Sequence, residues 1–367
     1  MLNKFINSQI SHNLNENRRL KYLNERKNNN KKTNNNNKNN VVNDYVVGIE
    51  KSYFLNSPNH IEFNFKTLDI RFNNDLIGES INKNIKKIHN VYKLKYKNTN
   101  ATGFGDFIRS CYFLLEFCEI YNVDVDFHIY DSNIKNYLSY FISKPVLNYN
   151  IAENIHKYID INCKFTNING TIGYKLDENY NDFINYLNNQ IVYSNNVFIN
   201  TGNFPIRFIQ KKNIEYMKKI LEPTNLFEID LNNLMDKLGL IKNEYITYHI
   251  RLGDKYLENQ HKTIEYNILN KILNKLDMDV NKTCLLLSDS IMLKKIIIKK
   301  YPNIKTIINN ICHIIENNSI EIKNTLLDFY LMSKSVRIVS FSVYEHGSGF
   351  SKWCATTYEI PYVCYAL

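Results

Sequence analysis

A histidine, an arginine and an aspartate close the run Tyr245-Ile-Thr-Tyr-His249-Ile-Arg251-Leu-Gly-Asp254 of this 367-residue chain. The β-branched and aromatic residues that lead into them predict a strand over 245–251. Its two-residue period puts His249 and Arg251 on one face at the carboxyl end. In open α/β sheets that end is where ligands bind. A guanidinium offers a planar fork of donors that matches a phosphate or diphosphate, and the histidine adds one donor or acceptor. The structural alternative is an Arg251–Asp254 ion pair at a strand end.

Two further segments end in the same way. Residues 282–290 predict a buried strand running into the polar turn Ser288-Asp289-Ser290, followed by a helix over 291–300 that Pro302 stops. Residues 326–333 predict a helix and 336–343 a strand. The glycine-rich loop Tyr344-Glu-His346-Gly-Ser348-Gly349-Phe350-Ser351 then opens a helix over 351–359. Unbonded amides at such a helix start form a cradle for an anion. Three strand ends, each flanked by helix, make one face of a Rossmann-like domain suited to a nucleotide.

Upstream, Gly103-Phe-Gly105-Asp106 precedes an apolar helix over 107–121 and an alternating strand over 123–129. A glycine pair before a helix lets backbone amides approach a ligand, and a tight structural turn accounts for it equally.

Together these segments resemble a known family. His249-Ile-Arg251-Leu-Gly-Asp254 resembles the His-x-Arg-Arg-x-Asp motif of α1,2- and α1,6-fucosyltransferases and of the rhizobial Nod-factor fucosyltransferase. Residues 287–302, from Leu-Ser288-Asp289-Ser290 to Lys300-Tyr-Pro302, resemble their second motif, a Thr-Asp-Asp turn followed by a helix and Lys-Tyr-Pro. Ser348-Gly349-Phe350-Ser351, with Trp353 and Ala355 behind it, is similar to their third, Ser-x-Phe-Ser. Order and approximate spacing agree over roughly 240–367, and the first half matches loosely. The departure is Leu252, where the second arginine would stand; protein O-fucosyltransferases carry an apolar residue there.

The resemblance implies an α/β fold of the GT-B type, two Rossmann-like domains facing across a cleft. It implies metal-independent, inverting transfer of fucose from GDP-fucose to a glycan or protein acceptor. Arg251 and the loop Ser348, Gly349, Phe350 and Ser351 would meet the leaving diphosphate, with His249 beside them. Asp289, flanked by Ser288 and Ser290, would meet the ribose or base, and Gly103, Gly105 and Asp106 would line the cleft. The proton acceptor is left open among Asp254, Glu258, Asp106 and His346. The alternatives are a transferase for another nucleotide sugar and a catalytically silent nucleotide-sugar or glycan-binding protein.

Length predicts two domains. Residues 1–40 form a polar Asn/Lys-rich tail with too little apolar surface to fold. Residues 41–213 are expected to form an acceptor-side α/β domain and 214–367 the nucleotide-sugar-binding domain. The net charge of +10 is concentrated in the tail, whose nine basic and two acidic residues account for +7 and leave +3 elsewhere. The folded part therefore suits a nucleotide diphosphate, and no nucleic-acid partner is expected. No apolar run approaches the ~20 residues that span a bilayer. The first ten residues do not form a signal peptide, and the seven scattered cysteines suit reduced core thiols. These features predict a cytoplasmic protein. Heavy use of Asn, Ile, Lys and Tyr fits an AT-rich genome, viral or protist. Asp124-Val-Asp126 and Asp277-Met-Asp279 match a metal-binding Asp-x-Asp pattern, but the first pair reads as the polar side of a strand, and no metal is expected. His346 and Phe350 stand where a Gly-x-Ser-x-Gly hydrolase elbow needs glycine.

Overall fold

A computed structural model describes residues 46–52, 60–68, 80–93, 103–130, 181–189, 192, 195–199, 209–276, 282–312, 319–344 and 347–367. The tail over 1–40, Cys163, Asp277, Asp279 and His346 lie outside the described residues. The strands are β1 (Val46–Ser52), β2 (His60–Leu68), β3 (Lys87–Lys93), β4 (Asp124–Tyr130), β5 (Asn196–Ile199), β6 (Ile209–Gln210), β7 (Ile246–Arg251), β8 (Cys284–Ser288), β9 (Lys305–Thr306), β10 (Arg337–Ser342) and β11 (Tyr362–Ala366). The helices are α1 (Phe104–Tyr121), α2 (Asn181–Asn188), α3 (Lys211–Ile220), α4 (Asn225–Leu238), α5 (Asp254–Leu257), α6 (Tyr266–Lys275), α7 (Ile291–Lys300), α8 (Ser319–Ser333) and α9 (Gly349–Tyr358).

This is an α/β fold with two parallel cores. One sheet has the order β6-β1-β2-β11-β10-β7-β8-β9, and β11, β10, β7, β8 and β9 all run parallel. The second sheet, β4-β3-β5, is parallel throughout. Strand β8, Cys-Leu-Leu-Leu-Ser, lies between β7 and β9 and is buried along its whole length, as a parallel strand covered on both faces must be.

The two-residue period of β7 divides its side chains. Ile246, Tyr248 and Ile250 join the apolar cluster of Ile272, Leu286, Leu293 and Ile297. His249 turns to the other face, toward Phe350. Cross-strand register sets Ser340 beside His249, Ser342 beside Arg251 and Ser288 beside Ile250. Because these strands are parallel, their carboxyl ends and following loops lie on one side of the sheet.

Helix α1 is apolar around most of its circumference, and such a helix is stable only when covered on all sides. Phe113 and Phe117 pack edge-on to Phe183, while Tyr112 meets Trp353 and donates to the Thr357 hydroxyl at 3.1 Å. It thus packs against α2 on one side and α9 on the other.

Strand pairing crosses the expected boundary at 213. The hairpin β1-β2 lies in the first half of the chain, yet β2 pairs antiparallel with β11 and extends the larger sheet. Edge hydrogen bonds, rather than chain order, decide sheet membership. Residues Tyr45–Leu367 group as one compact unit. Among the described residues no helix is long and apolar enough to cross a membrane. The six described cysteines are buried.

Candidate functional site

Arg251 leaves the end of β7 with its side chain 16% exposed, between two carboxylates. One terminal nitrogen donates to Asp289 Oδ2 at 2.8 Å and the other to Asp254 Oδ1 at 2.6 Å. Asp289, 2% exposed, also accepts from the Leu252 amide at 2.9 and 3.0 Å and from the Gly253 amide at 2.9 Å. Burial raises the Asp289 carboxyl, and Arg251 with those amides pulls the other way. In the structure the Asp289 oxygens hold the guanidinium and the turn behind it. The arginine keeps further N–H donors for an anion.

The turn needs Gly253. Its φ of +99° lies where side chains are strained, and a Cβ there would stand 3.3 Å from the Tyr344 hydroxyl. Leu252, at the position of the absent second arginine, is 1% exposed in the cluster with Tyr248, Ile250 and Tyr256. Its side chain points into apolar packing, away from the face that carries Arg251.

His249 is 7% exposed, and its ring centroid lies 5.9 Å from that of Phe350. Its Nδ1 is buried and finds no hydrogen-bond partner among the described residues. Burial, with Arg251 and Lys294 adding positive charge, pushes the imidazole down to about 3. It is neutral at physiological pH, so it can contribute a hydrogen bond but is a poor proton acceptor.

That shift has a measurable consequence. An unfolded chain protonates this imidazole near its ordinary value of about 6.5. The folded value is lower, so the contribution to stability is complete above about pH 6.5 and declines toward pH 3, by about 2 kcal/mol at pH 5. Asp328, raised to about 6 mainly by burial, runs the opposite way: its contribution is present at low pH and lost as pH rises through 6. The comparison of wild type with His249→Gln isolates the histidine. Melting between pH 5 and 7 should show wild type losing more stability on acidification than the variant, and parallel curves would remove His249 as the cause.

The remaining expected residues fall into two groups. Ser288, Ser290 and Ser351 are buried and internally bonded. The Ser290 hydroxyl caps α7 by accepting from the Leu293 amide at 3.2 Å, and the Ser288 hydroxyl accepts from the Ser290 amide at 3.2 Å. Ser351 donates to the Ser340 hydroxyl at 3.2 Å. Phe350 packs on Phe329 with centroids 5.4 Å apart. The second group lies where α1 and α9 begin. A Cβ on Gly105 would fall 2.3 Å from the Gly349 carbonyl carbon and 2.6 Å from the Phe350 nitrogen, so the two backbones touch. Asp106 lies over that contact, paired with Arg109 at 3.2 Å. Ser348 precedes α9 and is 4% exposed, whereas Gly103 precedes α1. Asp254 is 59% exposed and Glu258 is exposed.

Asp126 pairs with Lys87 at 3.0 Å. Among the described residues no three His, Cys, Asp or Glu side chains gather to hold a metal.

Sequence reasoning passed over Lys294 and Asp328. Both are nearly fully buried, on α7 and α8, and they line a narrow crevice with Asn309, Ile311 and Asn324. Lys294 donates to the Ile307 carbonyl at 3.0 Å. Burial lowers the Lys294 ammonium, and Asp328 and Asp289 oppose that shift. The signal was present in the sequence as charges inside apolar helical runs, the pair Lys294-Lys295 in Ile-Met-Leu-Lys-Lys-Ile-Ile-Ile and the single Asp328 in Leu-Leu-Asp-Phe-Tyr-Leu.

No family model and no curated protein matches the chain. Among solved structures, the fucosyltransferase NodZ from Bradyrhizobium is similar at 11% identity and a TM-score of 0.47, over 74% of this chain and 92% of that one. A variant of Arabidopsis thaliana FUT1 in complex with GDP is similar at 10% identity and 0.43, over 79% of this chain and 73% of that one. POFUT1 in complex with GDP is similar at 9% identity and 0.39, over 78% of this chain and all 100% of that one.

Proposed function

We propose that this protein is a metal-independent glycosyltransferase that takes its sugar from a nucleoside diphosphate donor, with GDP-fucose as the donor of choice. The observation that carries the reading is the Arg251 guanidinium, fixed by Asp289 and Asp254 at the carboxyl end of a parallel strand. When an acceptor hydroxyl attacks the anomeric carbon, the bond from that carbon to the diphosphate breaks and negative charge develops on the leaving oxygens. A pre-positioned guanidinium and the amides at the start of α9 stabilise that charge without reorganising. The hydroxyl proton passes to a carboxylate, for which Asp254, Glu258 and Asp106 are the described candidates and His346 a further one.

The resemblance of the three motifs around Arg251, Asp289 and Ser348–Ser351 to those of fucosyltransferases favours GDP-fucose as the donor. The acceptor, a glycan or a protein, would approach from the side of the β4-β3-β5 sheet, with 41–213 as the acceptor part and 214–367 as the donor part of a GT-B enzyme.

A thermal-shift panel of GDP-, UDP- and ADP-sugars tests the reading. GDP-fucose is expected to raise Tm by several degrees at 100-fold excess over Kd, where binding adds about 2.7 kcal/mol; no response to any nucleotide sugar would end it. Activity in EDTA should stay within about twofold of the untreated value, because arginine and amides do the work a metal would do. Complete loss, restored by Mn²⁺, would revive Asp124 and Asp126. The burial of Leu252 favours a second reading, a silent nucleotide-sugar-binding protein with a single cation at the diphosphate. Hydrolysis of GDP-fucose without acceptor separates the two.

A further inference from the structure

Helices α1 and α9 begin against each other. A Cβ on Gly105 would fall 2.3 Å from the Gly349 carbonyl carbon and 2.6 Å from the Phe350 nitrogen, so the second residue of one helix lies on the first peptide of the other. Neither start is capped by the residue before it: Gly103 has no side chain, and the Ser348 hydroxyl makes no cap bond. The first amides of a helix have no partner within it, and their partial positive charge attracts an anion. Two such starts meet here.

One carboxylate stands over both. An Asp106 oxygen lies 3.4 Å from where a Gly103 Cβ would be, and the other oxygen lies 3.5 Å from where a Gly349 Cβ would be. The oxygen nearer Gly349 is the one paired with Arg109, at 3.2 Å. The Asp106 side chain is 38% exposed, so the place it occupies is open to solvent. Helix α9 has no acidic residue in its own first turn, and Asp106 of α1 supplies negative charge to its start. A carboxylate so placed stabilises the empty helix start and repels a second anion that enters.

We propose that Asp106 is an affinity-setting residue of the donor site: a resident counter-charge that holds the α9 start in the empty protein and opposes the diphosphate when it arrives. The inference rests on the nucleoside-diphosphate reading above, in which the start of α9 meets the leaving diphosphate. Arg109 moderates the repulsion by holding the carboxylate in an ion pair. The role is opposite in sign to that of a group that grips the ligand, because removing the charge tightens binding.

Calorimetric titration of inorganic pyrophosphate and GDP into wild type, Asp106→Asn and Asp106→Ser tests it. Asparagine keeps the size of the side chain and removes the charge; serine, which also suits a first helical turn, serves should asparagine fail to fold. Both anions are expected to bind either variant about five- to tenfold more tightly at about 50 mM salt, with the gain shrinking to about twofold at about 500 mM. The ligand-free variants should melt below wild type, and pyrophosphate should raise their Tm by more than it raises that of wild type. A carboxylate with a merely structural role would leave affinity unchanged or lower it on removal, and pyrophosphate bound no more tightly by the variants than by wild type overturns the proposal. Loss of transfer with unchanged GDP affinity would make Asp106 the proton acceptor and overturns it too. Wild type that binds neither anion ends the nucleoside-diphosphate reading and this inference with it, whereas wild type that binds both, with variants no tighter, removes Asp106 alone.

Discussion

Arg251→Ala is expected to lower transfer about 100- to 1,000-fold, the usual effect of removing one charge-assisted contact to a developing oxyanion. The same change should also weaken the fold. Asp289 is 2% exposed and Arg251 is its counter-charge, so alanine leaves a buried carboxylate with the Leu252 and Gly253 amides and a long 3.4 Å bond from the Ser288 hydroxyl. Breaking one partner of a buried pair costs about 3–5 kcal/mol when nothing else compensates, and those amides should hold the loss to the low end or below. Arg251→Lys separates the two effects. An ammonium can still neutralise Asp289 but cannot span Asp289, Asp254 and a phosphate at once. Stability near wild type with turnover still at least about tenfold down is the expected lysine result. Activity within a few-fold of wild type in both variants would remove Arg251 from the mechanism.

Gly105→Ala is expected to be the most damaging single methyl in the described chain. The added Cβ would lie 2.3 Å from a backbone carbon and 2.4 Å from a backbone oxygen of Gly349, atoms that no rotamer change can move aside. Overpacking costs about 1–3 kcal/mol when side chains give way, and here α1 and α9 must separate, so about 3 kcal/mol or more is expected. Gly103→Ala is the internal control. Its Cβ would meet only the Asp106 carboxylate at 3.4 Å, an ordinary contact with a side chain that can shift, and its φ of -60° suits any residue. Urea denaturation of both variants should show a large loss for Gly105→Ala and less than about 1 kcal/mol for Gly103→Ala. Equal, small effects would mean that the two helices do not meet at these glycines. Parting the helices should also weaken donor binding, since the start of α9 supplies amides to the proposed site.

Much of the site was legible because its signals are local. The cap by Ser290, the stop before Pro302 and the alternation through β7 each depend on residues within a few positions, and the elements formed within a few residues of their expected ends. The glycine-rich stretches at Gly103–Gly105 and Ser348–Ser351 were legible as helix starts. Their mutual contact was not, because it joins residues more than 240 positions apart.

What the sequence determined alone is the chemistry that reaches the strand ends: a period of two forces His249 and Arg251 onto one face and sends Ile246, Tyr248 and Ile250 to the other. What only the tertiary structure decided is how that chemistry is held. Asp289 supports Arg251 because β8 runs beside β7 and brings its end to the Leu252 amide. Lys294 and Asp328 became neighbours because α7 and α8 pack near one crevice, and the β1-β2 hairpin joined the larger sheet because β11 offered a free edge. Side-chain period is a property of each strand by itself, whereas strand order and helix packing are set by burial summed over the whole chain.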